Sequence, residues 1–269
     1  VAPFDAALGA AEPFSRRIAR NTQALLIEEC HLARVLDPAG GSWYVESLTD
    51  ALARAAWAFF QEIESVGGAV VALDSGLVAD RTAEVRAGRE RAVATRRTAL
   101  TGVSEFPDLD EKPVQRRPLP EVPAGGLPTY RPAQAFEAYR DRSDAALAET
   151  CTRHRAFLAT LGPLAAYTAR AGFTRNLVQA GGIEAVDAGP TESVQDVIDA
   201  YAGEPVAVLC STDALYTERA AETVTALRRA GATRILLAGK VDIDGVDGQL
   251  FAGCDALAVI GAVYEEVRS

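Results

Sequence analysis

The sequence predicts an α/β protein whose C-terminal half is a flavodoxin-like parallel sheet. Three observations carry this expectation. From Arg155 onward, short apolar runs alternate with helical stretches, the mark of βαβ units. Five such runs fall within one domain-sized span, which suits a flavodoxin-like order. Before Pro107 only one run, Ala99–Phe106, reads as a strand, and it stands among three or four helices.

The elements follow in chain order. Val1–Ala11 is loop-like. Pro13 opens a helix to about Cys30, with Ile18, Leu25, Leu26 and Ala19 at helical spacing. Asp37-Pro38-Ala39-Gly40-Gly41-Ser42 is a turn cluster, and Trp43-Tyr44-Val45 a short extended piece. Ser47, with Asp50 three residues later, makes an N-cap for a helix whose stripe is Leu52, Ala56, Phe59, Phe60, Ile63 and Val66, closed by Gly67-Gly68. Helical stretches at Ala69–Leu73 and Ala79–Arg97 come next.

A lone strand at Ala99–Phe106 would leave its N–H and C=O groups unpaired, so residues 1–106 read as the tail of a larger α/β domain. Pro107–Pro132 holds seven of the 13 prolines and reads as an extended linker able to wrap a neighbouring surface. The expected domains are therefore 1–106, a linker 107–133, and 134–269. Gln134–His154 is a helix. Then come strand Arg155–Leu161, helix Leu164–Ala180, strand Ile183–Asp187, helix Val194–Tyr201 with a Thr191 or Ser193 cap, strand Pro205–Cys210, helix Ala214–Ala230, strand Arg234–Ala238, a loop Val241–Gly248, strand Ala256–Ile260 and a helical tail.

Composition limits function. A formal net charge of −10 and a pI near 4.8 argue against a nucleic-acid partner, because no basic face is present to neutralise phosphates. The basic run Arg86–Arg97 includes Glu90 and reads as a solvated or inter-subunit helix face. Cys30, Cys151, Cys210 and Cys254 form no CxxC and suit reduced, cytoplasmic thiols. No stretch is apolar for long enough to span a membrane. The chain has no methionine, even at position 1, and is expected to be a piece of a longer protein.

Ligands of doubly wound sheets bind beyond the carboxyl ends of the strands. The first such turn here, Leu161-Gly162-Pro163-Leu164-Ala165-Ala166-Tyr167, holds no His, Asp, Glu, Lys, Arg or Cys. Asp242–Gly248 has acids but not calcium-loop spacing, with Val246 at a ligand position and Gly245 one place early. Gly40-Gly41 is a turn and not a phosphate loop. His31 reads as a cap or surface residue, and His154 lies at the wrong end of its strand for a ligand. Cys210-Ser211-Thr212 reads as a buried thiol followed by a helix cap.

Arg17-Ile18-Ala19-Arg20-Asn21-Thr22-Gln23, Asp37–Glu46, Trp57 and Ile63–Gly68 resemble the methylmalonyl-CoA mutase family in order and spacing. The resemblance implies that residues 1–106 are the last part of a TIM barrel, with Ala99–Phe106 its final strand, and that 134–269 is a cobalamin-binding-type domain. In catalytic chains of that family the first βα turn carries Asp-x-His-x-x-Gly, whose His lies below cobalt and whose Asp orients it. A Ser-x-Leu follows the third strand and a Gly-Gly the fourth. Here the three places read Leu161–Tyr167, Cys210-Ser211-Thr212-Asp213-Ala214 and Ala238-Gly239-Lys240, and all depart from the pattern. Ala185–Pro190 and Gly248–Phe251 keep the family's fold.

The resemblance therefore implies a non-catalytic, structural small subunit, cytoplasmic, with no catalytic, cofactor-binding or metal residue of its own. The expected partner is a large catalytic subunit carrying adenosylcobalamin, and Lys240 is expected to crowd the place of the nucleotide tail. Two alternatives stand beside this. One is a cobalamin-binding catalytic chain, with His154 as the local candidate ligand. The other is a flavodoxin-like module for another small ligand, against which the lack of a Gly-rich phosphate loop after Leu161 argues.

Overall fold

The computed structural model describes residues 1–112, 114–119 and 130–267. Its contacts divide the chain into two compact units, Val1–Ala83 with Lys112–Pro128 and Glu84–Glu111 with Thr129–Ser269. The sequence reading instead divides it at 106/107 and 133/134. Residues 120–129, the centre of the expected linker, lie outside the described residues.

In the first unit, α1 (Pro13–Ala24) widens into a π turn at Leu25–Glu29, and α2 (Trp43–Ser65) packs on α3 (Ala69–Asp74). α2 starts at Trp43, so Trp43-Tyr44-Val45 is its first turn and not an extended piece. Ser42 holds the N-cap position, and Glu46 reaches back to accept from the Gly41 N–H at 3.1 Å. Ser47 lies inside the helix. Residues 114–119 run beside the N-terminal loop. The buried Asp5 accepts from Arg116 Nε at 2.6 Å, and Ala10 N–H donates to Arg117 C=O at 2.8 Å. Burial works against the Asp5 charge, but Ser15 and Arg116 outweigh it and hold the carboxyl down at about 2.

Residues 99–106 are a tight turn and not a strand. Gly102 N–H donates to Glu105 C=O at 2.7 Å, Ser104 N–H donates to Leu100 C=O at 2.9 Å, and the buried Ser104 hydroxyl accepts from Leu100 N–H at 3.0 Å. Gly102 (φ 80°) and Phe106 (φ 52°) are left-handed, which an extended strand excludes. The N–H groups of Gly102, Val103, Ser104 and Glu105 find partners inside the turn, and the Phe106 N–H donates to Asn176 Oδ1 at 2.7 Å. This turn follows α4 (Leu77–Ala94). On α4, Arg86 pairs with Glu90 at the surface, as the charge pattern predicts. Arg96 departs from that pattern. It turns inward, donating twice to Glu105 Oε1 at 2.9 and 2.5 Å over the Phe173 ring.

The second unit holds a five-stranded, all-parallel sheet in the flavodoxin-like order β2-β1-β3-β4-β5. The strands are β1 (Arg155–Thr160), β2 (Glu184–Asp187), β3 (Val206–Cys210), β4 (Arg234–Ala238) and β5 (Gly248–Leu250). From Ala156 to Thr160 every residue of β1 is fully buried, as a strand covered on both faces requires. Ala156, Leu158, Val206, Val208 and Leu236 face one core with α5 (Gln134–Thr150), α6 (Leu164–Ala180) and α10 (Ala256–Glu266). Phe157, Ala159, Ala207, Leu209 and Ile235 face the other, with α7 (Val194–Ala200) and α9 (Ala221–Ala230).

Ala256–Ile260, expected as the fifth strand, is the first turn of α10. Its buried residues Ala256, Ile260, Val263 and Tyr264 follow helical spacing, and Asp255 caps it by accepting from Ala258 N–H at 2.9 Å. The fifth strand is the three-residue Gly248–Leu250, which begins on the last residue of the expected loop Val241–Gly248. At α7 the Ser193 cap forms as a full capping box with Asp196.

Gly182 lies where α6 leads into β2. Its φ is 82°, its C=O accepts from Ser143 Oγ at 2.6 Å, and an added Cβ would meet Ser143 Cβ at 2.5 Å. Gly182→Ala therefore combines left-handed strain with overpacking against α5. The expected loss is about 2–4 kcal/mol in urea unfolding.

His154, just before β1, sits edge-on to Tyr264 at 5.4 Å, and Arg142 lies over the same Tyr264 ring at 4.2 Å. Burial first, then Arg142, holds the imidazole below its ordinary 6.5. The native state favours neutral His154, so its contribution is present above the unfolded pKa and lost as pH falls below it. Denaturant unfolding at a series of pH values checks this. The wild type loses stability below pH 6.5, and His154→Gln loses measurably less over the same interval.

Candidate functional site

The carboxyl end of the sheet is where this fold places ligands, so the turns after β1, β3 and β4 form the candidate site. The turn after β1 is closed by neighbours. Leu161 is buried and its C=O accepts from Ser211 Oγ at 2.7 Å. Gly162 N–H donates to Thr191 Oγ1 at 3.3 Å, and its C=O accepts from Thr191 N–H at 3.2 Å. The Thr191 hydroxyl in turn donates to Thr160 C=O at 2.7 Å. Gly162 has φ 87°, and an added Cβ would lie 2.6 Å from Leu215 Cδ1. The loops after β1, β2 and β3 are thus joined through side-chain hydroxyls.

The turn after β3 is organised by Tyr216, which is fully buried. α8 (Asp213–Leu215) leads into a π turn at Tyr216–Ala220 before α9. The Tyr216 hydroxyl accepts from Ser211 N–H at 2.9 Å and has Leu209 C=O at 2.9 Å and Ala238 C=O at 2.8 Å to donate to. Burial pushes this phenol up, well above its usual range. Cys210 is buried and burial raises its thiol to about 12, so it is an inert packing residue, and Thr212 caps α8, as the sequence suggests.

Arg170 of α6 completes the site and was not signalled by any motif. Its Nη1 donates to Ser211 C=O at 2.6 Å, its Nη2 to Asp213 Oδ1 at 2.6 Å, and its guanidinium lies 5.1 Å from the Tyr216 ring centre. After β4, Gly239 has φ 148°, and a Cβ there would lie 3.3 Å from the Arg170 guanidinium. Lys240, expected to crowd this space, instead places Nζ 4.4 Å from the Phe251 ring centre. Arg170 is the cation that lies against Gly239.

The other sequence candidates do not join this site. His154 lies beyond the amino end of β1, and His31 is exposed with φ 57°. In the acidic loop, Asp242 accepts from Gln249, while Asp247 pairs with Arg228 and accepts from Ile235 N–H at 2.6 Å. Among the described residues no group of three His, Cys, Asp or Glu is placed to hold a metal ion. No helix among them is long and apolar enough to cross a membrane.

The sequence model of the family "Methylmalonyl-CoA mutase" matches residues 1–186. The chain belongs to the methylmalonyl-CoA mutase family. It is 52% identical over 269 residues to the methylmalonyl-CoA mutase small subunit of Streptomyces virginiae, covering 99% of this chain and 44% of that protein. It is 37% identical to the small subunit of Propionibacterium freudenreichii subsp. shermanii, over 98% of this chain and 42% of that one. The methylmalonyl-CoA mutase of Cereibacter sphaeroides is 42% identical over 42% of this chain and 16% of its own length. The chain thus spans less than half the length of these relatives.

The Tyr216 hydroxyl predicts a measurable cost. Tyr216→Phe keeps the ring but leaves Ser211 N–H buried without its acceptor, and chemical denaturation should show a loss of about 1–3 kcal/mol.

Proposed function

We propose that this chain is part of a non-catalytic, structural subunit of a heterodimeric, cytoplasmic methylmalonyl-CoA mutase. Its large partner subunit would bind adenosylcobalamin and interconvert methylmalonyl-CoA and succinyl-CoA. The observation that carries the reading is the turn Leu161–Tyr167, at the place where a ligand to a bound cofactor would stand. It offers no imidazole and no carboxylate, and its backbone is engaged by Thr191 and Ser211.

The groups at this edge do not suit adenosylcobalamin. The turn after β1 has no metal-ligating side chain, Leu215 lies against Gly162, and Arg170 lies against Gly239. The likeness to proteins named small subunit supports the same reading.

The first unit supports a role in assembly. α2 leaves Trp43, Tyr44, Leu52, Trp57 and Phe60 exposed, with Trp57 and Phe60 stacked at 5.2 Å. Apolar surface of this kind is normally covered in a working protein. In this reading it packs within the mutase barrel, whose closing helices the first unit supplies.

Two measurements test the proposal. Co-expression with a candidate large subunit should co-purify a stable pair, with isomerase activity that follows the partner. Titration of this chain alone with adenosylcobalamin should leave the cofactor spectrum unchanged. A base-off, histidine-ligated spectrum from this chain alone would overturn the reading in favour of a catalytic chain.

A further inference from the structure

We propose that Arg170 is a latch that holds the carboxyl-end crevice of the sheet shut. In the order β2-β1-β3-β4-β5 the side on which successive strands are added switches between β1 and β3, and that switch point is where doubly wound sheets open a crevice for ligands. Arg170 belongs to the helix that follows β1. Its two hydrogen bonds, each 2.6 Å, run to Ser211 and Asp213, which follow β3. Its guanidinium also lies against Gly239, which follows β4. One side chain therefore bonds the helix after β1 to the loop after β3 and packs against the loop after β4 across the switch point.

The fork suits this task because its donors are fixed in one plane and can serve a carbonyl and a carboxylate at once. The face of Tyr216 beneath it completes the contact as a cation–π pair. Below the guanidinium lies the Tyr216 hydroxyl with its backbone partners, so the latch also covers the polar group that joins β3 to β4. Gly239 permits the approach, since an added Cβ would press on both the guanidinium and Leu237 at 3.3 Å. The latch follows from side-chain geometry alone, so it stands or falls separately from the subunit role.

Amide hydrogen exchange and tyrosine nitration on the intact chain test it. In Arg170→Ala the Ser211 and Gly239 amides should exchange at least about tenfold faster, while Val208 and Leu158 in the sheet centre keep their protection. Nitration of Tyr216 by tetranitromethane should accelerate in parallel, with exposed Tyr44 as the unchanged reference. Arg170→Met fills similar space without donors and should behave as Arg170→Ala does. Wild-type protection in Arg170→Met would overturn the bridging role. So would unchanged exchange in Arg170→Ala, or a rise spread equally over the sheet centre.

Discussion

Tyr216 brings one hydroxyl among three backbone groups at the ends of β3 and β4, inside the protein where water does not compete. In such surroundings an unpaired N–H or C=O costs far more than a hydrogen bond gains in water. The rest of the edge is arranged around that hydroxyl. The π turn starts at Tyr216 itself, Arg170 covers its ring, and Ser211, whose N–H it receives, passes its own hydroxyl on to Leu161. Thr191 then carries the connection to the loop after β2. The closure of the candidate site is therefore one connected polar structure and not a set of separate contacts.

The buried strands were legible because a strand covered on both faces must be apolar throughout. β1, β3 and β4, with α6 between β1 and β2, fall where the alternation of runs and helices puts them. The same rule misled at Ala256–Ile260, because a helix buried on most sides is as apolar as a central strand over five residues. Only the wider spacing to Val263 and Tyr264, and the Asp255 cap, separate the two. The true fifth strand, Gly248–Leu250, is too short to show a period. At Ala99–Phe106 a β-like composition hid a turn whose left-handed residues include a phenylalanine, a choice that local sequence disfavours and the Asn176 contact supports at 2.7 Å.

The candidate site was half legible. Its position, at the turns after β1, β3 and β4, follows from topology, and the lack of reactive groups at Leu161–Tyr167 can be read directly. What fills it could not be read. Arg170 shares its helix with Arg175 and no motif marks it out, and its partners are 41 and 43 residues away. Lys240 drew attention by replacing a small residue in a motif, yet its flexible side chain turns to an aromatic ring, Phe251. Arg96 shows the same limit. It lies next to the end of a basic run that looks solvated, and its inward turn goes with a left-handed backbone at φ 58°.

Among the described residues, Thr160, Arg170, Thr191, Ser211 and Tyr216 tie the strand ends together. A sheet whose edge is completed by a bound molecule gains stability by mass action, and its melting temperature then rises with the concentration of that molecule. The hydrogen bonds made by Thr160, Arg170, Thr191, Ser211 and Tyr216 are intramolecular, so their share of the stability does not vary with the concentration of the protein itself.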